Sequence, residues 1–499
     1  MSDEVAAVAA GRPGALGHPR GLITLATTEM WERFSYYGMR ALLVLFMVES
    51  LEEGGLGYSD QTATAIYGLY TAAVYMLCLP GGWIADRLIG AQRAVWFGGI
   101  IIMSGHFVLA IPSVATFFLG LILVALGTGL LKPNISAIVG EFYPPGDPRR
   151  DGGFTIFYMG INIGAALGPL VCGWLAQDNW HYGFGVAGVG MLFGLIQFKL
   201  TQSQLGDAGL APPATDGGDA AYRRKAWGGI LAILLLVAGL LVAGLTGTVN
   251  LDPVALAQSS TYAIVALAFV YFGYILLLGR LTRDERGRVI VIIVLFFAAA
   301  MFWSGFEQAG SSLNLFAERY TIREFGGFEI PASWFQSLNP VFIIILAPIY
   351  SMLWVALARR HLDPSTPLKF AVGLIILGLG FAVMIGAAAL VAEGQQVLPT
   401  WLLFTYLLHT MGELALSPVG LSSVTKLAPR RFVGQMMGVW FLAASLGSIL
   451  AGLLAGEFRA DALDEMPRLY LQIVLTTVGS GVLLAFLAKP LKRLMSGAD

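Results

Sequence analysis

Glu29-Met30-Trp31-Glu32-Arg33-Phe34-Ser35-Tyr36-Tyr37-Gly38 sets two carboxylates, a guanidinium and two phenols inside an apolar run long enough to cross a bilayer. A charge at the centre of a membrane helix costs about 2.5–3.5 kcal/mol on insertion scales, so such groups mark a pathway or a binding site. On a helix, Glu29, Arg33, Tyr36 and Arg40 follow steps of four, three and four and share one face, with Glu32 and Tyr37 at its margins. That face is expected to line a wet cavity.

The rest of the chain fits the same setting. Of 499 residues, 57% are hydrophobic and 12% charged, and the mean hydropathy is +0.74; a soluble domain carries about 25% charged residues. Apolar runs at 22–49, 60–85, 92–111, 114–140, 151–177 and 182–201 predict six helices. A polar linker at 202–225, with Ala211-Pro212-Pro213 and Asp216-Gly217-Gly218-Asp219, reads as a joint. Two apolar runs follow at 226–246 and 261–280, then six more at 288–318, 331–358, 368–391, 399–427, 431–455 and 467–490. The expected fold is an all-α polytopic membrane protein of about fourteen spans. Its expected division is a six-helix bundle at 1–201, linker and inserted helix pair at 202–287, and a second six-helix bundle at 288–499. The 62 glycines suit helices that approach closely in lipid. A net charge of -1 gives no nucleic-acid signal. Cys78 and Cys172 lie in apolar runs, which argues against a disulfide framework or a thiolate metal site. Residues 1–20 lack a continuous apolar core and read as a short soluble tail.

Lysine and arginine fall on one side of this layout: Arg87 and Arg93, Arg149 and Arg150, Arg223 to Lys225, Arg280 to Arg288, Arg359 and Arg360, Lys426 to Arg431, and Lys489 to Arg493. The opposite loops are acidic or mixed, so the positive-inside rule makes both termini cytoplasmic. The middle pair, nearly without intramembrane charge, reads as structural.

Further polar groups recur inside the spans. Gly127-Thr128-Gly129-Leu130-Leu131-Lys132-Pro133-Asn134 lacks the spacing of a phosphate loop. Lys132 snorkels to an interface or meets a ligand, and Pro133 with the glycines disturbs the backbone around it. Asn134-Ile135-Ser136, a formal glycosylation match, lies at membrane depth and is discarded. In 157–169, Tyr158 and Asn162 share a face beside a seam of small residues. In 302–314, Trp303, Glu307, Ser311 and Asn314 form a polar stripe at helical spacing, with Glu307 a candidate proton carrier. Glu413 and Ser417 stand one turn apart before Pro418; Asn339-Pro340 and Trp440 complete the set. Depth counting puts Arg40 and Glu307 both about 27 Å from their cytoplasmic ends. Lys132 and Glu413 fall in the cytoplasmic half, at the level of Glu29, Glu32 and Arg33. Two such ion-pair layers are what two alternating gates require. The histidines show no metal spacing, with His106 and His409 reading as helix contacts, and no enzyme motif is present.

Gly82-Trp83-Ile84-Ala85-Asp86-Arg87-Leu88-Ile89-Gly90-Ala91-Gln92-Arg93 resembles the loop signature of the major facilitator superfamily. Residues 29–38 resemble the first-helix signature of its proton-coupled oligopeptide transporters. Residues 157–169 look like that family's fifth-helix signature, and Phe306-Glu307-Gln308 with Ser311-Ser312-Leu313-Asn314 like its seventh helix. The resemblance spans nearly the whole chain, including the extra helix pair of bacterial members. It implies a major facilitator fold and a bacterial inner-membrane symporter of di- and tripeptides, monomeric, embedded in lipid, with protons as coupling ion and no other cofactor. It further implies that Arg33 and Lys132 attract the peptide carboxylate and that Glu413, with Ser417 close by, holds the amino terminus. Tyr36, Tyr37, Tyr75, Tyr158, Asn162, Trp303, Asn339 and Trp440 would line the pocket. Arg40 with Glu307 would form the outer gate, Lys132 with Glu413 the inner layer, and Glu29, Glu32, Arg33 and Glu307 would serve proton coupling. The second span lacks the histidine of animal members, which leaves coupling to carboxylates. The alternative is a facilitator of another small solute: nitrate, a drug or a peptidomimetic.

Overall fold

The structure, a computed structural model, describes residues 17–144, 146–210, 220–458 and 463–495. The Pro-Pro and Asp-Gly-Gly-Asp parts of the expected linker, and most of the expected tail, lie outside the described residues. The helices are α1 Arg20–Val48, α2 Asp60–Ile84, α3 Ala91–Leu109, α4 Val114–Glu141, α5 Arg150–Ala176 and α6 Trp180–Thr201. Then come α7 Ala220–Leu245 and α8 Pro253–Leu278, followed by α9 Arg283–Phe306, α10 Ser312–Tyr320, α11 Leu338–Arg359, α12 Thr366–Ala392, α13 Thr400–Leu427, α14 Val433–Ala455 and α15 Met466–Leu494. Taking α9 and α10 as one interrupted helix, these are 14 helices among the described residues. Eleven are long and apolar enough to cross a membrane by length and composition. The charges of 29–40 make α1 less apolar than the rest.

The expected span 288–318 lies within one span, Arg283–Tyr320, but its helix is interrupted. The run 288–318 is not one helix: α9 ends at Phe306, a 3-10 turn occupies Glu307–Gly310, and α10 begins at Ser312. Ser311 leaves helical geometry with φ -125 and ψ -99. Side chains hold the break. Gln308 donates to the carbonyls of Ser304 at 3.3 Å and Ala451 at 3.1 Å, and its Oε1 accepts from the Ser312 hydroxyl at 2.6 Å. The Tyr67 hydroxyl fills the space beside Gly310, where any Cβ would collide. Trp303, Glu307, Ser311 and Asn314 therefore do not form a stripe on a continuous α-helix.

The chain divides into two compact units that cut across its linear order: 1–42 with 76–252, and 43–75 with 253–499. In the first unit, α5 lies against α1 through Gly160, Gly164 and Gly168, each facing an α1 backbone carbonyl, of Ala26, Met30 and Phe34. Four-residue spacing brings these glycines to one face, so backbones meet where side chains would otherwise stand. A core of Leu22, Leu25, Ile135, Ile138, Met191 and Phe198 fills one end of this unit. At the same end Gln92 ties the facilitator-like loop to the following segment, donating from Nε2 to the carbonyls of Gly206 at 3.1 Å and Ala208 at 2.7 Å. Asn134, also buried, donates to the Gly81 carbonyl at 3.2 Å.

In the second unit, the ends of α1 and α2 beyond residues 42 and before 76 pack with the C-terminal helices. Gly68 of α2 and Gly452 of α14 meet backbone to backbone, and Ser445 donates to the Ala72 carbonyl at 3.1 Å. Asp60, in the first turn of α2, takes both terminal nitrogens of Arg319 at 2.6 and 2.8 Å. The inserted helices are shared between units: α7 belongs to the first and α8, against α14, to the second. Helix α2 carries Pro80 in its interior.

Candidate functional site

Each unit buries some of the polar side chains that the sequence singles out. In the first, α1 buries Glu29, Glu32 and Arg33 to within 2% exposure. Arg33 Nε contacts Glu29 at 3.1 Å and also the Glu32 carboxylate. Thr128 of α4 donates to Glu32 Oε1 at 3.4 Å. Lys132, one helical turn further along α4, interacts electrostatically with Arg33, Cys78, Glu29 and Glu32. Two carboxylates and two cations make the cluster formally neutral, which offsets part of the several kcal/mol needed to desolvate each ion. The compensation is incomplete, because Arg33 Nη2 is buried with no hydrogen-bond partner among the described residues.

The guanidinium of Arg33 stands 5.2 Å from the Tyr36 ring, and that of Arg40 stands 5.3 Å from Tyr37. The two phenols meet edge to face at 5.2 Å between centroids. The two rings are thus flanked by a cation on either side along α1. Asn162 is buried, but its Nδ2 is committed to the Tyr158 carbonyl at 2.8 Å; the Tyr158 side chain is 39% exposed.

In the second unit Glu413 of α13 accepts from Asn339 Nδ2 of α11 at 2.9 Å. Ser417, one turn along, has no hydrogen-bond partner for its buried Oγ among the described residues. Trp303 packs on Phe302 and Phe306 and against Gly447; Trp440 meets Phe370 edge on and covers Gly420. Tyr75 is half-buried on α2. Glu307 is 1% exposed and accepts from the Tyr67 hydroxyl at 3.3 Å. Glu29, Glu32, Arg33 and Lys132 are therefore gathered in the first unit, Asn339 and Glu413 in the second, and Glu307 sits in the broken helix with Tyr67.

Sequence reasoning did not mark Thr128, Gln308, Tyr67 or Thr410 as supports. Thr128 precedes Lys132 by four residues and Thr410 precedes Glu413 by three, a spacing that puts each on its partner's face. Tyr67 carries no comparable signal, since its partner Glu307 comes from a distant part of the chain; Gln308 has Ser304 and Ser312 at four-residue spacing, but its third partner, Ala451, is distant.

Long apolar helices that bury Glu29, Glu32, Arg33 and Glu307 fit a polytopic membrane protein with a polar path through it. The POT family model matches residues 92–216 and 226–465. The chain is 43% identical over 492 residues to the peptide transporter YePEPT of Yersinia enterocolitica, covering 97% of this chain and 96% of that one. It is 38% identical to the di-/tripeptide transporter of Lactococcus lactis subsp. cremoris, covering 96% and 97%. A crystal structure of a peptide transporter POT in complex with sulfate superposes with a TM-score of 0.92 at 42% identity over the whole of both chains. The chain belongs to the POT family.

Proposed function

We propose that this chain is a proton-coupled symporter that imports di- and tripeptides across a bacterial inner membrane by alternating access, with both termini cytoplasmic and a monomer as the working unit. The observation that carries the reading is the buried cluster of Glu29, Glu32 and Arg33 on α1, in which Arg33 Nη2 has no hydrogen-bond partner among the described residues. A desolvated cationic donor left unpaired costs about 1–3 kcal/mol or more, a penalty that a substrate carboxylate relieves on binding. The similarity to di- and tripeptide transporters supports a peptide as its bearer.

A zwitterionic peptide needs a cation at one end and an anion at the other. In this reading Arg33 and Lys132 take the carboxylate, Glu413 with Asn339 and Ser417 takes the ammonium, and Tyr36, Tyr37, Tyr75, Tyr158, Asn162, Trp303 and Trp440 form walls that tolerate varied side chains. Protonated Glu307 releases Arg40 and opens the outer gate, so a proton accompanies each substrate. Glu29 and Glu32 provide a second coupling site, and Lys132 with Glu413 closes the inner layer. Segments 1–201 and 288–499 act as the moving bundles and 202–287 as their joint. Protons are the coupling ion, with no other cofactor.

Reconstitution in proteoliposomes with an imposed inward proton gradient tests this. Labelled dialanine is expected to accumulate, competed by unlabelled di- and tripeptides and not by nitrate. No accumulation, or competition by nitrate alone, overturns it.

A further inference from the structure

Glu413 does not set its own orientation. We propose that Thr410 is a positioning residue for the substrate's amino end, acting through Asn339 on Glu413. This rests on the reading of Glu413 as the ammonium-binding carboxylate.

Thr410 is fully buried on α13. Its hydroxyl donates to the Tyr406 carbonyl at 2.7 Å and receives Asn339 Nδ2 at 3.1 Å, while the same Nδ2 reaches Glu413 Oε2 at 2.9 Å. A threonine hydroxyl has a single proton. With that proton committed to the Tyr406 carbonyl, the oxygen faces Asn339 only as an acceptor. An Asn339 amide turned over would set its own oxygen against two acceptors, the hydroxyl oxygen and the carboxylate. Thr410 thereby selects which end of the amide faces α13, and the amide then holds one oxygen of Glu413 in place. A carboxylate so held meets an incoming ammonium without first being ordered, which is how pre-organisation lowers the cost of binding.

Thr410→Val keeps the shape and removes the acceptor; Thr410→Ser keeps the acceptor. In proteoliposomes, T410V is expected to raise KM for dialanine about three- to tenfold, the range set by one hydrogen bond, with Vmax within twofold of the parent. T410S is expected to restore KM. Dialanine-like KM values in T410V overturn the proposal if they match the parent. So does a fall in Vmax alone that T410S fails to rescue, since that marks a merely structural role. If T410V does not fold, T410A takes its place.

A second measurement needs no transport. Difference infrared spectroscopy of the purified full chain, with the Glu413 carboxylate band assigned by E413Q, should show that band displaced in T410V and unmoved in T410S. An unmoved band in T410V overturns the proposal. Failure of the parent chain to accumulate dialanine would count against the peptide reading, and the infrared result would still decide the role of Thr410.

Discussion

Glu307 sits where a helix stops. Its carboxylate is buried in a 3-10 turn and accepts from Tyr67, so a proton arriving there changes a hydrogen-bonded contact instead of a solvated surface. Glu307→Gln keeps the volume and removes the carboxylate: uphill, proton-driven accumulation of dialanine should fall to background while counterflow exchange persists. Retained accumulation would remove Glu307 from coupling. Tyr67→Phe deletes only the donor, and should reduce accumulation several-fold with exchange preserved. At Arg33 the demand is geometric, because one guanidinium serves Glu29 and Glu32 and still presents Nη2. Lysine has no planar fork for that task. Arg33→Lys should therefore reduce uptake at least about tenfold, and near-parental uptake would show that charge alone suffices.

At the scale of elements, α1 and α5 are joined by absence of side chains. A methyl at Gly164 would run into the Met30 carbonyl, whereas Gly479 on α15 has open space. Gly164→Ala should destabilise by about 1–3 kcal/mol through overpacking, and Gly479→Ala should be close to neutral; thermal unfolding in detergent compares them. Equal melting temperatures would mean that α5 shifts without penalty. Most of this level was legible beforehand. The helix limits follow apolar runs, and the α5 seam follows from glycines spaced by four. The placing of cations beside rings on α1 was visible because Glu29, Arg33, Tyr36 and Arg40 recur at helical steps. The break after Phe306 was not visible, because Gln308, Ser312 and Tyr67 impose it through α14 and α2, and apolar periodicity runs straight through it. Thr410 was hidden for a related reason: a threonine between His409 and Met411 has no evident task until Asn339 is placed beside it. Gln92, in contrast, lay inside a motif read for its charges, and it is the uncharged amide that forms the tie.

On the scale of the whole molecule, the first helices serve both compact units. The Asp60–Arg319 pair fastens α2 to α10 beside a cavity of 820 Å³ lined also by Tyr58, Glu457, Glu465 and Arg468. The proposal that 1–201 and 288–499 move as bundles predicts that this fastening parts once per cycle. Asp60→Cys combined with Arg319→Cys, bridged by a short bis-methanethiosulfonate reagent that forms a disulfide to each cysteine with loss of sulfinate, should stop dialanine uptake, and cleavage of those disulfides by excess dithiothreitol should restore it. Undiminished uptake in fully bridged protein would show that these ends stay together throughout transport.

The proline of α2 has a mechanical consequence. Pro80 cannot donate to the carbonyl four residues earlier, that of Met76, and Met76 is the residue at which α2 passes from one compact unit to the other. The rod is thus missing a rung at the seam. Its bending stiffness is lowest there, so load applied to the far end of α2 is taken up as curvature at one short segment instead of being spread along the rod.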